Sequence, residues 1–514
     1  MMSRLHCVLL AALGLAFTSP SIAEPLGLLD AVRLTLAKNP DVLLQERQLE
    51  FSRGALLQAE GQFDPALRLS TGRALDHVPL LDREQRFYAA QGLTDTETRT
   101  ATTHYSLALE KPFKNGLVIS PEISAFRYAG TEYVLPATRG LVSFNIRIPL
   151  LKNAGRAAAA GEEAARADLE ATRHELRFAV SQSVFGTVSS YWNLLGALES
   201  LQISLEAEDA IALMAGEVEK LIAADEIPAA DINLVRASLL EKSAMRSAAE
   251  QALVSARTSL AQAIGVAASA AMEIEPDDEL PLVKSDQPLL SEYRTRLTRL
   301  ALQQRGDLAA ARLREDAARI VLQASRHNLK PQLDLELRVG YAGLAEGSDR
   351  DHYLSALDRQ RSGTNVMVSL NYQWPFENSI ARGRLLQDSA NHDQRTVMAA
   401  RAERDIELGV QTAYANFRQT LEQLRDAEAA VDLYALTLEN ERTKHKLGTA
   451  TLIDVLSVND KLLAARLNYI TYRVRVMSLI AQLNFETGTL FADNASGQLV
   501  SYQQLVSLPE PDQE

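Results

Sequence analysis

The chain has 514 residues, 46% of them hydrophobic, and a formal charge of −13 at pH 7. That acidity, with no cluster of Lys and Arg, argues against a nucleic-acid partner, because phosphate binding needs grouped cations. No segment past the N-terminus offers ~20 uninterrupted apolar residues, so no transmembrane helix is expected.

Residues 1–23 read as a signal peptide: a basic Arg4, an apolar run from Cys7 to Phe17 too short to be a retained span, and the small-residue site Ser21-Ile22-Ala23. The mature chain is expected to begin near Glu24. Cys7 is the single cysteine and lacks the lead-in of a lipoprotein site, so the exported protein should be cysteine-free and carry no cysteine-linked lipid.

Residues 27–62 read as helix, with Leu29, Val32, Leu36, Leu43 and Leu49 near helical period and a break at Pro40. After Pro65 and a polar loop over 76–99, the stretches 105–110 and 117–128 around Lys114-Asn115-Gly116 suggest a hairpin, whose place inside or outside a sheet the sequence leaves open. Val142, Phe144, Ile146 and Ile148 then alternate with Ser143, Asn145 and Arg147, which is period 2. Residues 156–222 are free of proline and carry a coiled-coil-like seam through Leu194, Leu198, Leu201 and Leu205. As one helix they would reach on the order of 100 Å. A turn over 225–230, with Pro228, leads to a returning helix, and 274–288, with three prolines, reads as a linker.

The order then recurs. A helical stretch over 290–328 ends at Pro331; Leu333, Leu335, Leu337, Val339 and Tyr341 alternate with polar residues; a polar loop spans 342–363; and Val366, Val368, Leu370, Tyr372 and Trp374 alternate again. A helix over 382–447, a turn over 448–451 and a returning helix to about Thr487 follow, then an irregular tail over 491–514. The blocks match in register. Asp41 and Pro65 face Asp307 and Pro331 at 266 residues, VSFNIRIP from Val142 faces VSLNYQWP from Val368 at 226, and Asp231 faces Asp454 at 223. Three blocks in one order mark a duplication, with repeats over 24–273 and 289–490 and 40 extra residues between the strand blocks of the first.

The expected fold is mostly α with a small β part: duplicated long helical hairpins and four strands per chain. Each strand is apolar on one face and polar on the other over a length of ~9 residues, as an outer-membrane barrel requires. A soluble sandwich would alternate in the same way, but four strands are too few to build one. Phosphate-cradling glycine loops, CxxC pairs, HExxH helices and nucleophile elbows are absent, so no enzyme chemistry, metal or cofactor is expected. His104 has no local partner, and His392 has only Asp388 and Asp393 near it in sequence, which completes no metal site. Glu199, Glu206 and Glu208 read as a solvated helix face.

The twofold repeat, the Asn39-Pro40-Asp41 helix start, strands ending in Ile148-Pro149-Leu150-Leu151 or Trp374-Pro375-Phe376, and the run from Leu447 to Leu456, LGTATLIDVL, resemble the TolC family of outer-membrane efflux and secretion proteins over roughly 24–490. The resemblance implies a homotrimer in which each chain gives four strands to a 12-stranded barrel and helical hairpins to a periplasmic cylinder. It also implies a periplasmic adaptor and an inner-membrane transporter as partners, in a tripartite efflux or type I secretion system. Carried over by position, Asp454 and its counterpart Asp231 form a periplasmic gate, and Gly448, Thr449, Leu452 and Pro228 form the hairpin tips that meet the adaptor. Ser457, where some members have an acid, and the glycine-free first turn depart from the family's pattern. Asp231 and Asp454 also suit helix N-capping, a compatible role. Phe144, Ile146, Val368, Leu370 and Trp374 are expected to face outer-membrane lipid. A soluble periplasmic coiled-coil adaptor is the alternative; it accounts for the helices and leaves the aromatic-ended strands without a purpose.

Overall fold

A computed structural model of the chain describes residues 25–90, 92, 96–131, 133, 135–225, 231–281, 291–347, 356, 362–490 and 500–509. The expected signal peptide and the tip residue Pro228 lie outside the described residues, as do residues 282–288 of the expected linker. By its contacts the chain forms two units: one comprises residues up to Gln45, Arg177–Arg305 and residues from Asp405; the other comprises Glu46–Leu176 and Gly306–Arg404.

The duplication is visible in the element order. Helices α1 (Leu28–Lys38) and α2 (Pro40–Gly61) recur as α7 (Ser291–Gln304) and α8 (Gly306–His327). The break between α1 and α2 has a local cause: Asn39 Oδ1 accepts from the backbone N–H groups of Asp41, at 2.9 Å, and Val42, at 3.3 Å. Pro40 occupies the first helical position, where no N–H is needed. Two helices of 68 residues each, α4 (Arg156–Ala223) and α9 (Ser379–Lys446), are followed by the returning helices α5 (Asp231–Ile264) and α10 (Leu452–Thr487). Short helices α3 (Asp82–Ala89) and α6 (Ala268–Ala271) fill connections. Among the described residues no helix is long and apolar enough to cross a membrane.

The second unit carries one antiparallel sheet in sequence order: β1 (Ala66–Pro79), β2 (Glu97–Pro112), β3 (Val118–Gly130), β4 (Ala137–Pro149), β5 (Gln332–Glu346) and β6 (Ser362–Gln373). The expectation of four strands is therefore corrected to six. The 40 extra residues of the first repeat form β2 and β3 within the sheet, between β1 and β4. Gly116 makes the β2–β3 turn. Its φ is +87°, and a Cβ there would lie 2.5 Å from the carbonyl oxygen of Asn153, so glycine alone fits the approach.

In the first unit Tyr191 and Trp192 are fully buried. The Tyr191 hydroxyl lies 2.9 Å from the Leu26 carbonyl and 2.8 Å from Asp278 Oδ2, its one proton shared between the two acceptors, and so holds Leu26 and Asp278 against α4. Burial, with the Asp278 carboxylate beside it, pushes this phenol far above its usual range. Arg305, between α7 and α8, pairs with Glu486 at 2.6 Å and stacks over Phe178 and Phe485. The tail, expected to be irregular, contains a helical turn, α11 (Tyr502–Val506). A Ser501–Gln504 capping box starts it, Leu505 is fully buried, and Ser507 accepts a hydrogen bond from Asn484, so burial of one leucine and a cap order a segment that lacks helical period.

Candidate functional site

The register of the six strands sorts their side chains into two faces. Leu69 pairs with Leu107, Leu107 with Ile123, Ile123 with Val142, Val142 with Tyr341 and Tyr341 with Thr364. One row nearer the helices the sequence is Leu67, Leu109, Pro121, Phe144, Val339 and Val366, so an apolar band runs unbroken across all six strands. Its reverse carries Arg68, Ser106, Ser124, Glu122, Ser143, Asn145, Glu336, Arg338, Ser369 and Asn371 on alternate positions.

The burial is inverted relative to a water-soluble sheet. Ile123 is 51% exposed and Phe144 43%, whereas Ser124 and Ser143 on the polar side are buried at 3% and 4%. Apolar side chains therefore point out and polar ones pack inward. Of the residues expected to face lipid, Phe144, Val368, Leu370 and Trp374 are exposed on this apolar face, and Ile146 is half-exposed on it. Trp374 and Phe376, rings 5.8 Å apart, sit just past β6 at the helix-side border of the band. Both outer strands, β1 and β6, are exposed along nearly their whole length, each with one backbone edge unpaired among the described residues.

In the first unit the α9–α10 turn shows why LGTATLIDVL has its composition. Gly448 has φ +72° with no heavy atom near a would-be Cβ, so its requirement is conformational and not steric. Thr449 donates its backbone N–H to Lys444 O at 2.9 Å. Thr451 caps α10: its hydroxyl accepts from the Asp454 N–H at 3.3 Å, while Asp454 Oδ2 accepts from the Thr451 N–H at 2.9 Å and the Thr451 hydroxyl at 2.6 Å. This is a reciprocal capping box. The hydroxyl bond, then the backbone bond, hold the Asp454 carboxyl below its usual value.

Leu452, expected at the adaptor contact, is half-buried against a core of Ile211, Ala215, Val218, Val235 and Leu456. The exposed apolar residues of this tip are Leu447 at 74% and Ile453 at 63%, which sequence reasoning passed over because they share the same LGTATLIDVL run. Ile453 lines an open groove of about 450 Å³ with Leu234, Ser457, Asp460 and Lys461. Lys242, buried at 2%, reaches Asp460 at 2.6 Å and ties α5 to α10 beside the groove. Of Asp231, only the backbone is described, as the first residue of α5. His104 stacks on Phe126 at 6.0 Å, and His392 lies beside Asp393 at 3.6 Å.

Residues 297–489 match the family described as outer membrane efflux protein. Outer membrane protein TolC of Escherichia coli (strain K12) is 22% identical over 330 residues, 62% of this chain and 65% of that protein, so the match spans just under two thirds of the relative's length. Among solved structures, VceC of Vibrio cholerae, an outer membrane protein, superposes with TM-score 0.64 at 17% identity over 90% of this chain and 96% of that one. CmeC of Campylobacter jejuni, an outer membrane channel, superposes with TM-score 0.64 at 14% identity over 90% and 85%. At these identities the two structures show a shared fold.

Proposed function

The chain is a TolC homologue with the outer membrane efflux protein pattern in its second repeat, and on that premise we propose that it is the outer-membrane duct of a tripartite efflux or type I secretion system. The observation that carries this reading is the inverted sheet, apolar outward and polar inward across six strands in register. Bilayer hydrocarbon is the solvent that such an outer face matches. A soluble adaptor would leave the band in water, where a contiguous apolar patch of this extent is a liability.

The unpaired edges of β1 and β6 would leave backbone N–H and C=O groups unsatisfied in lipid, so the sheet closes only with further copies. Six strands is an even number, so β6 of one protomer can pair antiparallel with β1 of the next. A homotrimer then closes a barrel of eighteen strands, in place of the twelve that four-stranded protomers would give. Barrels of that size hold an aqueous channel. The hairpin tips carry the periplasmic end. Leu447, Ile453 and the groove at Leu234 meet a periplasmic adaptor, Gly448 and Thr449 shape the turn, and Asp231 and Asp454 converge as a gate. An inner-membrane transporter supplies the energy, and the duct itself is a passive conduit with no catalytic step.

The test is extraction in mild detergent followed by native mass spectrometry and planar-bilayer recording. Trimers that insert and conduct are expected. A monomer that stays soluble without detergent would return the adaptor reading.

A further inference from the structure

Near the sheet end away from the helices, two arginines stand in the apolar face, with Leu75 of β1 one row farther out. Arg73 on β1 and Arg127 on β3 lie in one register row, on either side of Thr103 on β2. Two strand spacings separate their Cα atoms, about 10 Å, an interval that two arginine side chains can close. In the next row toward the helices Thr71 and Tyr105 are paired, and on that same face Leu69, Leu107 and Ile123 begin the apolar band. The small side chains of Ala101 and Ala129 leave an open hollow of about 530 Å³ over this spot, with no carboxylate among the residues lining it.

The neighbouring Arg99 differs from Arg73. It lies farther out and is neutralised by Glu97 at 2.6 Å, which also reaches His77 at 3.5 Å. Arg73 is exposed and makes no ion pair among the described residues. An arginine at the border of a lipid-facing band, with hydroxyls beside it and leucines below it, is complementary to a phosphate that carries acyl chains. A free anion would have no use for the adjoining apolar wall.

We propose that Arg73, Arg127, Thr103 and Tyr105 form a binding site for the phosphate of an anionic lipid headgroup, whose acyl chains lie along Leu69, Leu107 and Ile123. The proposal rests on the barrel reading above, since it needs this face to meet lipid. Bridging β1 and β3 through one headgroup would also brace the β1 edge, where the next protomer docks.

The test uses full-length protein in detergent, first floated with neutral phosphatidylcholine vesicles, then equilibrated with micelles carrying diphosphoryl lipid A. Retained lipid is read by native mass spectrometry. The natural sequence should retain lipid A on the order of tenfold better than Arg73→Gln/Arg127→Gln, as loss of two interfacial cations predicts. Arg99→Gln should behave like the natural sequence. Should the double variant fail to float, Arg73→Gln alone decides by the same criterion. Equal retention overturns the site, and displacement of lipid A by equimolar inorganic phosphate overturns the lipid in favour of a free anion. Failure of the natural protein to float overturns the barrel reading, and this site with it.

Discussion

Asp454 shows how one residue can satisfy two sequence readings at once, since a gate and a helix cap both call for a carboxylate just past a turn. Its hydrogen bonds to the Thr451 N–H and hydroxyl establish the cap; the gate remains our proposal, and charge is what separates the two. Asp454→Asn keeps an acceptor for the cap and removes the charge, so cation preference and divalent block in planar bilayers should weaken while hydrogen exchange at the start of α10 quickens only slightly. An unchanged reversal potential would leave Asp454 as a cap alone. Thr451→Ala breaks the box from the other side and should cost about 1 kcal/mol at the helix start, read as faster exchange there. The sign of the pH effect follows from the lowered carboxyl. Stabilisation by ionised Asp454 is complete above its ordinary value, near pH 4, and is lost as pH falls through the lowered one, so exchange should quicken only in acid. Gly448, at φ +72°, tolerates Asn better than a β-branched residue. Gly448→Val should abolish export while trimers still form, with Gly448→Asn close to normal in an export assay; equal export by both would remove the turn from the adaptor contact.

At the scale of elements, the strands that alternate cleanly were legible and the inserted pair was not. Phe144, Ile146, Val368 and Leu370 announce their faces because apolar and polar residues alternate around them, Met367 apart. The outer half of β2 reads Thr98-Arg99-Thr100-Ala101-Thr102-Thr103, which has no period to detect, and its partners on β1 lie 20 residues away at Val78–Thr98 and 30 at Arg73–Thr103, beyond any local signal. The turn Lys114-Asn115-Gly116 marked a hairpin without saying what it pairs with. Ser143 is on the polar face but buried, wedged in register between Glu122 and Gly340. A cleaner test of the faces therefore uses adjacent residues of β6. Val368 is exposed on the apolar face, and Ser369 is on the polar one. Val368→Arg should cost roughly 2–4 kcal/mol if that face meets the middle of the bilayer, and Ser369→Arg far less. Heat-resistant trimer on gels, scored for both variants, decides it: equal yields would mean that the two faces have been assigned wrongly.

For the whole molecule the duplication was legible from three anchor blocks, yet the number of strands was not, because symmetry between the repeats suggested two strands from each. The first repeat instead gives four to the sheet and the second gives two. This asymmetry can be removed by experiment. Deleting residues 90–136, from the end of α3 to the start of β4, takes out β2 and β3 and leaves β1 joined to β4 by the remainder of the outer loop. β1 and β4 still run antiparallel, and Leu67 and Leu69 remain on the same face as Val142 and Phe144, so the shortened sheet keeps its apolar side intact. Three shortened protomers would close twelve strands in place of eighteen. Because barrel diameter grows roughly linearly with strand number, the lumen should narrow by about a third. The size of the largest neutral polymer that enters from the barrel side, measured as the drop in single-channel conductance, reads the width directly and is insensitive to the closed state of the tips. A smaller cut-off in the deletion variant is expected. The same cut-off in both proteins, with both trimeric, would mean that β2 and β3 are not part of the wall of the assembled pore, and would restore the twelve-stranded barrel that the repeat symmetry first suggested.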